Sequence, residues 1–506
     1  MKKQVIWFMM VCMVITLSFY TVSVKAASVY YVATNGNDSN SGTEQSPWQT
    51  IQKACDSLTA GDTVYIKVGT YKEKVTVNVS GSESGGYITI QNFGTDKVIL
   101  DGTEITAPSG QSALLLINSK SFITIKGLEI CNYKTSTSGL LIMGIFITGS
   151  AHHIQISNNN IHNIENNAKV DSDKMGRDAH GIAVYGTDGT NSINNIIIDG
   201  NTVTNCELGS SESMVVNGNV DTFTITNNLI HDNDNIGIDM IGWEGKASSN
   251  DQARNGVCRG NTVYNISSAG NPAYDTDDLC ADAIYVDGGK DIIIERNAAY
   301  TSDIGIEVAS EHNGKTTSGV MVRDNLIYNN NCIGIAFGGY DTNRGTTVNC
   351  QFLNNTLYNN DTLQQGNGEI LIQKANSNTV KNNIIYCNSQ NLVVGNPFSS
   401  TYSYNNTFDY NTYYGPGGTS NVEWQWQNKY YTGFAAFKNK TNQDLHSIFA
   451  NPLLKSTSPL DFHLQSGSPA INAGDPTFTP ATGETDFGGG ARLLGTRVDC
   501  GAYENQ

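Results

Sequence analysis

Carboxylates recur at related places along one stretch of this chain. Asp239, Asp282, Asp287 and Glu307 fall within short apolar segments of one pattern, and Glu244 and Glu311 follow just beyond two of them. Crowded carboxylates repel one another, so at least one keeps its proton or the group takes up a cation. Two chemistries follow. A proton-holding acid near an ionised one suits glycoside hydrolysis. Alternatively, Ca²⁺ held by Asp282, Asp287 and Glu307 against a uronate would acidify its α-proton for a basic side chain to abstract.

The segments begin at His180, Glu212, Ile236, Asp282, Ile304, Ile333 and Gly368. Their third and fifth residues are apolar throughout and are expected inside, while the second, fourth and sixth are expected to face solvent. Stacked about 4.8 Å apart as neighbouring strands, the fourth residues read Ala183, Val215, Asp239, Tyr285, Glu307, Ala336 and Leu371. The sixth include Asp287 and Gln373. Acids thus gather in three successive units and fade on either side. Asp282, first in its segment, has inward parity and is expected at the corner before its strand. Asp239 and Asp287, and likewise Asp287 and Glu307, are expected about 8 Å apart, within the range for an inverting glycosidase. Lys315, Arg344 and Lys374 are the basic candidates for proton abstraction. Trp243 and Tyr285 are expected to stack on sugar rings, with Glu311 and His180 completing the substrate contacts.

The elements that position these side chains are announced by a second repeat. The motif Asn/Gly-Asn-x-Ile/Val-Tyr/His recurs at Asn158, Gly200, Asn227, Gly260, Arg296, Asp324, Asn354 and Asn382, with a looser copy at Asn405. Its spacing, about 28 residues, is that of a solenoid whose units bury their apolar faces only by stacking. The fold class is therefore all-β, a right-handed parallel β-helix with an N-terminal capping helix and an irregular C-terminal cap. The capping helix is expected from Ile51 to Leu58, N-capped by Thr50, because an open solenoid end needs cover.

Residues 1–26 read as a signal peptide, with Lys2 and Lys3 before an apolar run and small residues before a cut after Ala26. The rest divides into N-terminal cap and first coils (27–118), the repeat array (119–413) and C-terminal coils and cap (414–506). The protein is expected to be secreted and monomeric, without a membrane span after signal removal. A net charge of −17 argues against nucleic acid as a partner. Nine cysteines remain beyond the signal, too widely spaced for a metal knuckle; most are expected as core thiols, with Cys258–Cys280 a candidate bridge.

The chain resembles secreted pectin-lyase-like β-helix enzymes, particularly pectate lyases of polysaccharide lyase family 9. The resemblance rests on Tyr30 to Asp38, on Ala60 to Tyr71, and on the endings Ala470 to Gly474 and Gly501 to Glu504. It implies a calcium site built from two adjacent coils, falling here on Asp282, Asp303 and Glu307, with Ile304 where the family pairs a further Asp. It also implies a catalytic lysine, but that position is Ala336. The expected function is degradation of an extracellular polysaccharide. A calcium-assisted lyase of uronate polymers comes first, with carboxylate-driven glycoside hydrolysis and a non-catalytic carbohydrate-binding β-helix as alternatives.

Overall fold

The computed structural model describes residues 27–276 and 278–505; the signal segment read at 1–26 lies outside the described residues. Three 13-stranded sheets run the length of the molecule, and each coil contributes one strand to each. In one coil, Asp282–Asp287 belongs to the sheet that carries the acids, Ile293–Glu295 to the second and Ala298–Tyr300 to the third, before Ile304–Ala309 returns to the first. Pairing is parallel from coil to coil, as a right-handed solenoid requires. Ile and Val from all three sheets fill the interior.

The Asn motif turns the corner between the second and third sheets. Its first residue takes left-handed backbone, with φ of 53° at Asn158, 67° at Gly200, 54° at Asn227 and 65° at Gly260. Asn and Gly reach this region at little cost, which explains their choice. The second residue forms a buried ladder. Asn261 Oδ1 accepts from the backbone N–H and Nδ2 of Asn228, at 2.9 and 3.0 Å. Its Nδ2 donates to Ile225 O and Asn297 Oδ1, at 3.0 and 2.9 Å. The rungs run through Asn159, Asn201, Asn228, Asn261, Asn297, Asn325, Asn355 and Asn383 to Asn411. Asn406 does not belong to them. It bonds Asn378 at another corner, so the true last rung is Asn411.

The helix Ile51–Ser57 covers the first coils, and Thr50 caps it by accepting from the Lys53 N–H. At the far end Trp424, Trp426, Phe434 and Phe437 close the core. The last residues do more than cap. Leu454, Phe462, Ala470 and Ala502 pack back against Tyr328, Tyr358 and Tyr386 on the third sheet. Buried Arg492 pins this return to Asp324, at 3.0 Å, and to Glu504, at 2.8 Å. All nine cysteines in the described residues are free thiols. Cys258 sits in the core, whereas Cys280 lines a surface cleft, so that bridge does not form. Among the described residues no helix is long and apolar enough to cross a membrane.

Candidate active site

Pairing in the first sheet places Val215, Asp239, Tyr285, Glu307, Ala336 and Leu371 side by side, the register expected from sequence. One parity expectation fails. The ladder skips the second residue of each segment: Asp282 pairs with Ile304 and Ile284 with Ile306, but Ala283 and Gly305 are passed over. That residue points inward instead, and Ala283 belongs to the core. A Cβ at Gly305 would meet Gly334 O and Ile327 Cγ2, each at 2.5 Å. The inward turn frees the first residue to face out. Glu212, Ile236, Asp282, Ile304 and Ile333 therefore form a second row along the same cleft.

The cleft encloses about 580 Å³. Its floor carries Asp239, Asp282, Asp287 and Glu307, all under 10% exposed, and its walls add Glu212, Glu244, Asp278 and Glu311. Tyr274, Asp278, Leu279 and Cys280 come from the long loop before Asp282 and form one wall. Downstream, Ile304, Ile333, Ala336 and Leu371 make an apolar cluster with Leu279. Upstream, Ala183, Val215 and Ile241 make another with Phe146 and Tyr185. Acidic chemistry thus sits between two apolar stretches.

Burial is the main force on these acids. It pushes Asp282 well above the carboxylate range, with the Glu307 and Asp239 charges adding to it. Asp282 donates a hydrogen bond to Glu307, which holds Glu307 down to about 8 against burial and the Glu311 charge. Two carboxyls joined this way share at least one proton at neutral pH. Asp239 is raised by burial, then by Glu212 and Asp287. Asp287 is raised by burial and Glu311, but its Oδ1 accepts the Glu311 backbone N–H at 2.8 Å, which favours its charged form. Asp239 Oδ1, Asp282 Oδ1 and Gln373 Oε1 are buried acceptors with no hydrogen-bond partner among the described residues.

The remaining candidates are placed differently from expectation. Tyr285 lies in the floor between Asp239 and Glu307, 5% exposed, and its hydroxyl donates to Glu311 at 3.2 Å, so it offers no open ring face. Trp243 is covered by the Lys315 ammonium, 4.6 Å from its ring centroid. Arg344 stacks on Tyr340 at 4.3 Å and pairs with Asp341, and Lys374 donates to the carbonyls of Thr342 and Arg344. None of the three bases lines the acid floor. His180 is buried, with Nε2 2.7 Å from the Tyr185 hydroxyl and Nδ1 2.9 Å from Glu212 O; burial lowers its pKa to about 4. It is a structural neutral imidazole, not a substrate contact.

Asp303 also departs from its expected role. Its carboxylate accepts from Ser267 Oγ at 2.8 Å, Asn331 Nδ2 at 3.0 Å and the Ser268 N–H at 2.8 Å. It anchors the wall loop and is spent there. Among the described residues, Asp282, Asp303 and Glu307 do not bring three donor atoms together, so this calcium set does not fit the structure. Reasoning from sequence missed Glu212, Tyr274 and Asp278. Glu212 was visible as the first residue of its segment once the inward turn is known; the loop residues had no repeat to mark them.

A family described as Protein of unknown function (DUF1565) matches residues 34–281. The uncharacterized protein YwoF of Bacillus subtilis (strain 168) is 39% identical over 441 residues, covering 87% of this chain and 91% of that protein. The chain belongs to the YwoF family. Within this YwoF-family chain, 85 residues, 16% of its length, are 38% identical to pectate lyase PEL9 of Emericella nidulans, of which they cover 20%. The GH136 lacto-N-biosidase from Eubacterium ramulus shares the fold, with a TM-score of 0.52 at 17% identity over 72% of this chain. The YwoF-family chain spans 64% of that enzyme's length. Its architecture is the parallel β-helix.

Proposed function

We propose that this protein is a carbohydrate-active enzyme, a glycoside hydrolase that cleaves a neutral or cationic glycan. The observation that carries this reading is the row of buried carboxyls Asp239, Asp282, Asp287 and Glu307 on the cleft floor, where burial and mutual repulsion favour a shared proton between Asp282 and Glu307. Glu307 serves as general acid toward the leaving oxygen, with Asp282 keeping it supplied. Asp287 serves as base once its proton is released; burial and the Glu311 charge raise it, and the Glu311 N–H stabilises the ionised form it then takes. The two lie one strand apart and two residues out of register, about 8 Å between Cα atoms, which leaves room for the attacking water of an inverting reaction. The unpartnered oxygens of Asp239, Asp282 and Gln373 suit a ligand rich in hydroxyl donors.

Charge supports the substrate class. Among the described residues, eight carboxylic acids and no Lys, Arg or His line the cleft. A polyuronate entering it would be repelled by those of the acids that are ionised. A lyase acting on uronates is the second reading, and the stretch similar to pectate lyase PEL9 favours it. Incubation with neutral, amino-sugar and uronate polysaccharides, with and without EDTA, separates the two. New reducing ends without ultraviolet absorbance, lost in Glu307→Gln and unaffected by EDTA, are expected. An unsaturated, absorbing product from a uronate polymer would overturn the hydrolase reading.

A further inference from the structure

A second cluster lies on the outer face of the third sheet, away from the acid cleft. Glu129 and Cys131 alternate on strand Glu129–Thr135 and point the same way, because the residue between them, Ile130, is in the core. The register sets His162 of the next coil directly opposite Cys131. Glu129, Cys131 and His162 each offer one donor atom, and these lie within 4.8 Å of one another. A tetrahedral zinc ion needs such atoms about 3.4–3.6 Å apart, given bond lengths of about 2.0–2.3 Å, so small side-chain rotations suffice.

The surrounding hydrogen bonds prepare the imidazole. His162 Nδ1 lies 2.6 Å from Asn163 Oδ1. The orientation of the Asn163 amide is fixed by its Nδ2, which donates to Glu165 Oε1 at 3.1 Å. Nδ1 therefore carries the proton, and Nε2 is left as the ligating nitrogen. Nε2 faces Glu129 Oε1 at 3.3 Å. A lone pair facing a carboxylate oxygen calls for a cation between them. Lys97 holds the other oxygen of Glu129 at 2.9 Å, leaving Oε1 free to bind. A protonated His162 would answer the carboxylate alone; the thiol beside both groups is what a metal uses in addition.

We propose that Glu129, Cys131 and His162 bind a borderline-soft divalent metal ion, with zinc the best match, and that the ion clips two adjacent coils together. Thiolate, imidazole and carboxylate are a zinc donor set, and the partly exposed Glu129 and His162 leave a fourth position open to water. Because the cluster sits on the third sheet, binding is expected to be independent of the cleft.

The test uses the full chain, freed of metal by dialysis and titrated with Zn²⁺ by calorimetry and with Co²⁺ by absorbance. One equivalent per chain is expected, with a near-ultraviolet thiolate-to-cobalt band. Cys131→Ser should abolish that band and weaken zinc at least tenfold, His162→Ala should weaken zinc similarly, and Glu307→Gln should leave both signals unchanged. Added zinc should raise the melting temperature of the wild type and not that of Cys131→Ser. Circular dichroism shows whether each variant is folded. Absence of the cobalt band in the wild type, or zinc binding of equal strength in folded Cys131→Ser and His162→Ala, overturns the proposal.

Discussion

Replacing Glu307 with Gln should cost the protein its activity and make it more stable in mild alkali. Burial raises Glu307 from its ordinary value of 4.5 to about 8 in the folded chain. Between these values the folded state holds a proton that the unfolded state has released, so stability falls as pH rises through that window. At pH 5 the penalty is about 1 kcal/mol, and at pH 8 it reaches about 4 kcal/mol, at about 1.4 kcal/mol per pKa unit. Gln has the same shape, carries no proton to lose and can still bond Asp282. The stability advantage of the variant should therefore grow by about 3–4 kcal/mol from pH 5 to pH 8. For a folded region of nearly 480 residues, with an unfolding entropy of about 2.1 cal/mol/K per residue, that is roughly 3–4 °C in Tm. Differential scanning calorimetry at the two pH values reads it directly. Hydrolysis by the wild type should fade over the same range as pH climbs through about 8, because the general acid loses its proton. A Tm difference between variant and wild type that is the same at both pH values would refute the buried, shared proton.

Asn261→Ala removes four buried hydrogen bonds in the corner ladder and strands the Asn228 N–H, so a loss of about 3–5 kcal/mol is expected in urea unfolding. Gly305→Ala drives a Cβ into Gly334 O and Ile327, and should cost about 1–3 kcal/mol with loss of activity through displacement of Glu307; a neutral result in unfolding and activity assays would mean that this residue faces solvent after all. Arg492→Ala leaves Asp324 and Glu504 buried without their cation, which should cost about 3–5 kcal/mol and expose the C-terminal segment to limited proteolysis.

The coil stacking was legible because one amide must occupy the same corner on every turn, and that need writes Asn into the chain at a fixed spacing. The fourth-residue register followed from it, from Val215 through Leu371. Strict alternation then misled at one point. A strand that turns inward at Ala283 or Gly305 breaks the period of two, and small side chains were the only trace of it. Side-chain direction was out of reach for the loop residues: Lys315 lies over Trp243, and Arg344 stacks on Tyr340. Asp303 shows the same limit, since its acid type fits a metal ligand while its surroundings make it a loop anchor. The wall around Tyr274 and Leu279 belongs to a loop between the repeat motifs, so the repeat did not mark it.

The returning C-terminal segment changes how such a solenoid can come apart. A stack of coils linked only to nearest neighbours can fray from either end, one unit at a time. Here Arg296 bonds Thr485, Arg323 bonds Glu484, Asn354 bonds the Asp499 carbonyl and Lys381 bonds Asp475, so one late stretch of chain touches four coils in turn. Those coils include the one that carries Glu307. In the sequence this splint follows every strand of the cleft. The acid-bearing face is therefore synthesised before the segment that couples its coils, and with that segment in place those coils are expected to open as one block rather than stepwise.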